Sequence, residues 1–189
     1  MAIDNFQGQT FIAYADIAGF KGMMSDGNRG PAALDALYQS GYQVISHQPA
    51  GSPRVEGLFV SDCGILFVRG NGPPAQRLEA LLAAIESLNR RCFDHAVFLT
   101  TAIAWGEFSY HDRIEIPGIE KNPIYGNAYV AAFLDNEAAI PKLYPTDCRI
   151  LKRDLLPDVV DLCTQRQGSI WSRMRNAQNH FYFDWMRPA

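Results

Sequence analysis

Several things are missing from this sequence, and each absence removes a class of function. None of the four cysteines, Cys63, Cys92, Cys148 and Cys163, forms a CxxC pair, so neither a zinc knuckle nor a disulfide framework is indicated. Scattered thiols of this kind fit the reducing cytoplasm. The four histidines, His47, His95, His111 and His180, show no metal-ligand spacing, and no Ser or Cys sits in a nucleophile elbow. Positive charge is not in excess. The net charge is −3 over 189 residues, which argues against nucleic acid as a partner. Long apolar runs are lacking too: Ala96 to Ile103 is too short to span a bilayer, so no membrane partner is expected. The first ten residues hold Asp4 and Asn5 and lack a basic n-region, which reads against a signal peptide. No repeat, low-complexity tract, linker or regulatory domain is read in the chain, and residues 1–189 are expected to form one domain.

What remains is an ordinary globular composition, 48% hydrophobic and 20% charged, long enough for one real core. Gln9 to Ala15 reads as a strand, ending at Asp16. The glycines and Asn28 up to Pro31 read as a loop. Leu34, Leu37, Gly41, Val44 and Ile45 then mark one helical face, closed by Pro49. Val55–Val60 and Gly64–Val68 read as a hairpin with Asp62 at or beside its turn. Leu78, Leu81, Leu82, Ile85 and Leu88 make Gln76–Arg91 the clearest helix. A strand from Val97 to Trp105 follows. The order predicts an α+β fold with a ferredoxin-like βαββαβ core sheet. C-terminal additions are expected beyond it: a hairpin over Glu107–Ile116, a helix starting near Gly126, a strand near Cys148–Lys152 and an alternating run His180–Trp185. Ile170 to Trp185, rich in aromatics and arginine, reads as a packing strand.

The acids carry the chemistry. Asp16 ends the first strand and Asp62 sits at the hairpin turn. If the first strand lies beside the strand that follows its crossover helix, both carboxylates come to one sheet edge. At ~4 Å they would repel by roughly 4 kcal/mol at an effective dielectric of 20. A shared proton or divalent cations would relieve that repulsion, and hard cations with oxygen ligands, themselves bound to a triphosphate, are the economical answer. The stretch Gly19–Gly30 then offers backbone N–H groups and a helix start to phosphates, with Gly19, Phe20 and Lys21 nearest.

Four segments bear a family resemblance in order. "YADIAGFKGMM" resembles the first metal-binding motif of the class III nucleotidyl (adenylate/guanylate) cyclases. "GLFVSDCGILFV" is similar to their strand–Gly-Asp–strand hairpin, with Ser61 replacing the glycine. "TTAIAWGEF" resembles the strand ending in a glycine, here Gly106, and "IYGNAYVAAFLDNEA" a Gly-x-x-Val-Asn-x-Ala-x-Arg helix. The resemblance implies that Asp16 and Asp62, with the Ile17 carbonyl, bind two Mg²⁺ or Mn²⁺ ions. It also implies a homodimer with its active sites at the interface. Two departures stand out. The family's ribose-binding Asn falls on Val130 and its transition-state Arg on Leu134. The purine-selecting positions are Leu58 and Pro123, neither of which offers a polar side chain to a base. In this the chain is similar to the uridylate/cytidylate cyclases of bacterial anti-phage Pycsar systems. The implied reaction is UTP to cyclic UMP and pyrophosphate, with the messenger read by a separate effector. CTP to cyclic CMP, a purine cyclase, and a non-catalytic nucleotide-binding dimerisation module are the alternatives. Arg54, Leu58, Tyr125 and Tyr129 are candidates for the base and ribose pocket, and Arg113 and Lys121 for the missing transition-state cation.

Overall fold

A computed structural model describes residues 3–111, 114–116, 119–121 and 123–188. Strand β1 (Phe6–Ile17) is longer than its apolar run because β4 (Leu99–Tyr110) pairs with it along its whole length, Phe6 opposite Tyr110 and Ile17 opposite Leu99. Between them come α1 (Phe20–Met24), α2 (Arg29–Ser46), β2 (Arg54–Val60), β3 (Cys63–Arg69) and α3 (Pro74–Asp94). Proline at the first turn of α3 loses no hydrogen bond there, and Leu78, Leu81, Leu82, Ile85 and Leu88 are fully buried as their spacing requires.

The sheet runs β2-β3-β1-β4, antiparallel throughout. This is the ferredoxin-like core, with one correction. The first strand pairs with β3, the return strand of the hairpin, and not with β2, the strand after the crossover helix. In a split βαβ unit the crossover skips one position, and the hairpin's second strand fills the gap.

Four short pieces follow: β5 (Ile114–Ile116), β6 (Ile119–Lys121), β7 (Ile124–Tyr125) and α4 (Asn127–Asn136). The expected hairpin over Glu107–Ile116 is not formed. β4 continues through Glu107 to Tyr110 because β1 still has backbone to pair with it, so the hairpin is β5–β6 instead. Two glycines allow α4 to settle on β4. A Cβ at Gly106 would meet the Asn127 side chain, and one at Gly126, at φ 134°, would strike the Glu107 carbonyl.

The sheet is extended by β8 (Cys148–Leu151), parallel to β4, then by β10 (His180–Phe183) and β9 (Met174–Asn176). Before β9 come α5 (Pro157–Gln165), which the sequence reading did not mark, and a 3₁₀ turn at Trp171–Arg173. The two faces are unequally covered. Phe11, Ala13, Ala15 and Ile17 of β1 face a large core with α2, α3 and α5, whereas Ile12 and Tyr14 face a small one under α4. Outside that thin cover, Val130, Phe133 and Leu134 of α4 stay exposed. Among the described residues, no helix is long and apolar enough to cross a membrane.

Candidate functional site

Alternation along β1 puts Asp16 on the same face as Ile12 and Tyr14, under α4. Its register partners are Cys63 on β3 and Thr100 on β4. Asp62 occupies the two-residue turn between β2 and β3, where Ser61 takes a left-handed φ of 53° in place of the glycine such turns favour. The Ile17 N–H donates to the Asp62 carbonyl at 3.0 Å, fastening the turn to the end of β1. The Ile17 side chain is buried in the opposite core, so its carbonyl is the group it can offer a cation.

A third acid joins them that the sequence reading missed. Glu137 follows the last turn of α4. That turn is anchored by Asn136, whose Nδ2 donates to the Tyr14 carbonyl (3.3 Å) and the Thr100 carbonyl (3.2 Å) and whose Oδ1 accepts from the Thr100 hydroxyl (3.2 Å). Glu137 thereby acts electrostatically on Asp16. Burial first, then the charges of Asp62 and Glu137, push the Asp16 carboxyl from 3.8 up to about 7.

Three acids elsewhere in the molecule have guanidinium partners. Glu56 is paired with Arg69 and Arg54, Glu86 with Arg173 and Arg90, and Asp135 with Arg149. Asp16, Asp62 and Glu137 have no ion pair among the described residues. Nor do any three His, Cys, Asp or Glu side chains among those residues form a ready metal cage. A pair of carboxylates short of a cage is the arrangement Mg²⁺ uses when substrate phosphates and water complete its shell.

The Asp16 carboxylate lines a cleft of about 490 Å³ together with Gly19, Thr100, Asn136, Glu137 and Lys142. Lys142 too was missed. It lies in the loop after α4, where no local pattern links it to Asp16, and it has no ion pair among the described residues. Beside the cleft the Tyr14 hydroxyl hydrogen-bonds the Cys63 thiol, and burial followed by that bond pushes the Tyr14 pKa above its ordinary value.

The remaining sequence candidates divide. Gly19 lines the cleft and caps α1 at φ 76°. Phe20 packs its ring against the α2/α3 core, leaving its backbone N–H as its phosphate group, and Lys21 is exposed on the same short helix. Tyr129 stacks with Phe133 and acts electrostatically on Tyr14, while burial and then Cys63 push its own hydroxyl up. Leu58 is half-buried against the α4-side core.

Three candidates are not at this end of the chain. Arg54 opens β2, roughly 20 Å along the strand from Asp62, and is tied to Glu56 at 3.3 Å. Tyr125 pairs with Ser109 at the far end of β4, roughly 30 Å from Thr100, and its hydroxyl is engaged by His111 Nε2 at 2.8 Å. Lys121 ends β6, which pairs with β5 in a separate two-stranded sheet. Arg113 lies outside the described residues.

No family model matches the sequence, and a search of curated proteins returns no match. Solved structures do match in fold. A bacterial light-regulated adenylyl cyclase aligns at TM-score 0.59 and 12% identity over 97% of this chain, which spans about half (53%) of that one. The guanylate cyclase domain of RhGC from Catenaria anguillulae in complex with GTP aligns at TM-score 0.63 and 10% identity, over 96% of this chain and 97% of that one. A class III adenylyl cyclase-like ATP-binding protein from Pseudomonas aeruginosa aligns at TM-score 0.57 and 12% identity, over 78% of this chain and 34% of that one. The chain therefore has the α+β fold of an adenylyl or guanylyl cyclase catalytic domain, with Asp16 and its neighbouring acids at the end of the central strand.

Proposed function

We propose that this chain is a nucleotidyl cyclase that converts UTP to 3′,5′-cyclic UMP and pyrophosphate, as a messenger for antiviral (phage) defence read by a separate effector. The observation that carries the cyclase reading is the set Asp16, Asp62 and Glu137, converging with no ion pair among the described residues on a cyclase fold. Asp16, Asp62 and the Ile17 carbonyl would hold two Mg²⁺ or Mn²⁺ ions. When bound, the ions supply Lewis acidity to the 3′-hydroxyl and charge neutralisation to the triphosphate.

In the reaction the ribose 3′-oxygen forms a bond to the α-phosphorus and loses its proton. The bond from that phosphorus to the pyrophosphate oxygen breaks. The backbone at Gly19–Lys21 would bind phosphate oxygens, and Lys142 would offset the charge on the leaving pyrophosphate from the cleft wall. Asn136 holds α4 in register with β1 and β4 and so positions the wall that Glu137 occupies.

A homodimer accounts for two features together. Tyr125 lies at the sheet end opposite Asp16, with Lys121 four residues before it in the chain, and a second copy packed head-to-tail would bring that end to the cleft. The exposed Val130, Phe133 and Leu134 would supply the apolar contact.

The pyrimidine choice rests on Leu58 and Pro123, where a purine reader would need polar groups matched to the base edge. A purine cyclase is favoured by the similar fold seen with GTP, and a binding-only module by the similar ATP-binding protein. Incubation of the purified protein with Mn²⁺ and each of ATP, GTP, CTP and UTP, with mass spectrometry of the products, decides among them. Cyclic UMP from UTP alone is expected. A purine product would overturn the base assignment, and triphosphate binding without pyrophosphate release would overturn the catalytic one.

A further inference from the structure

The last 24 residues of this acidic chain hold four arginines, Arg166, Arg173, Arg175 and Arg187, that play no part in the Asp16 cleft. All four line a single cavity of about 390 Å³ at the β8-β10-β9 end of the sheet. The cavity shares no lining residue with the cleft. The loop running from α4 to β8 contributes Lys142 and Leu143 to the cleft, and Thr146 and Asp147 to the cavity.

The guanidinium groups have few acceptors. Arg173 is 5% exposed. Its Nη2 donates to Glu86 at 2.7 Å and its Nη1 to the Arg187 carbonyl at 3.2 Å, yet its buried Nε–H has no acceptor among the described residues. Arg175 lies over the Tyr182 ring at 4.2 Å and, like Arg187, has no ion pair among the described residues. The Arg166 guanidinium donates to the Ser172 carbonyl at 3.3 Å. The two carboxylates that line the cavity are bonded to backbone instead: Asp147 accepts from Tyr144 N–H at 2.9 Å and Asp184 from Arg187 N–H at 3.3 Å. Positive charge is thus in excess here, in a protein whose net charge is −3.

Planar guanidinium forks beside an aromatic ring match phosphate oxygens bidentately, and the volume is that of a small-ligand pocket. We propose that this cavity is a second binding site, one that takes a phosphate-bearing small molecule and is independent of the Asp16 cleft. Arg173, fixed by Glu86, forms its floor. Arg175 and Arg187, exposed and without an ion pair among the described residues, close on the phosphate from the rim.

The test is calorimetry on the full chain with EDTA present, so that no divalent cation draws phosphate to the acids. Pyrophosphate, uridine monophosphate and uridine are titrated separately. The two phosphate probes are expected to saturate one site and uridine to give no heat. Monophosphate binding tighter than pyrophosphate identifies a nucleotide ligand, and the reverse identifies a free polyphosphate; either supports the site. Arg175→Ala and Arg187→Ala should each weaken binding about tenfold, with Arg175→Lys in between and Asp62→Asn without effect. Both arginines are exposed, so folding is checked by circular dichroism and is expected to hold. Affinity unchanged in the two alanine variants, absence of saturable binding, or loss in Asp62→Asn alone would overturn the proposal.

Discussion

Asp16→Asn should make the metal-free protein more stable while removing its activity. The Asp16 carboxyl is pushed from 3.8 to about 7 by burial and by the charges of Asp62 and Glu137. The folded state therefore holds this proton more tightly than the unfolded chain. Stability contributed by the group is fully present below about pH 4 and is lost as pH rises toward 7. A shift of about 3 units corresponds to at most about 4 kcal/mol. Because the carboxylate is only partly buried, solvent screening reduces this to about 1–2 kcal/mol. Asparagine keeps the shape and carries no charge, so the variant should gain that amount at pH 8 and nothing at pH 4. For a chain of this length the gain is roughly 2–8 °C in Tm. Denaturation by urea at half-unit intervals from pH 4 to 8, in EDTA, reads the difference directly. In parallel, the four-nucleotide assay should show no cyclic product from the variant. A stability difference that is flat with pH, or an Asn variant less stable than the parent at pH 8, would refute the claim that Asp16 is held against its neighbours' charge.

The other expectations are more direct. Mg²⁺ at millimolar concentration with a non-hydrolysable triphosphate should raise the Tm of the parent protein, while Asp62→Asn should lose both this increment and the product, with its circular dichroism unchanged. Asn136→Ala removes three hydrogen bonds that hold the end of α4 to β1 and β4. It should cost about 1–3 kcal/mol in chemical denaturation and lower kcat more than it raises KM, because the cleft wall moves. Leu134→Glu alters a residue that is 59% exposed. Monomer stability should stay within about 0.5 kcal/mol, while sedimentation should show loss of the dimer and the assay loss of turnover. Arg149→Ala removes the guanidinium partner of Asp135 inside the core, where Arg149 is fully buried, and leaves Asp135 with His180 alone of its two cationic partners among the described residues. The loss should be about 2–4 kcal/mol, read by urea denaturation, because His180 still faces the carboxylate.

The elements legible in the sequence were those whose signal is local. The leucine stripe of α3 reports a helix through its 3.6-residue period, and the two apolar runs around Ser61 and Asp62 report a hairpin through its short turn. The same locality made Asp16 and Asp62 visible, since each stands where an apolar strand stops. α5 left a weaker trace, a proline at its first turn and buried Val159 and Cys163, and was passed over. The Glu107–Ile116 hairpin misled because the true end of β4 is set by the reach of β1, a partner about 100 residues away in the chain.

By itself, then, the sequence determined the strand–helix–hairpin–helix–strand order of the core and the two acids at strand ends, because periodicity and turn chemistry act over a few residues. The tertiary structure alone decided which strand lies beside β1, and hence that Asp62 is fastened to Ile17. It alone brought Glu137 and Lys142 to the cleft, separated Arg54 and Tyr125 from it, and gathered four arginines around one cavity. Each of these depends on sheet pairing and helix packing between residues far apart in the chain, and no short-range pattern records such distances.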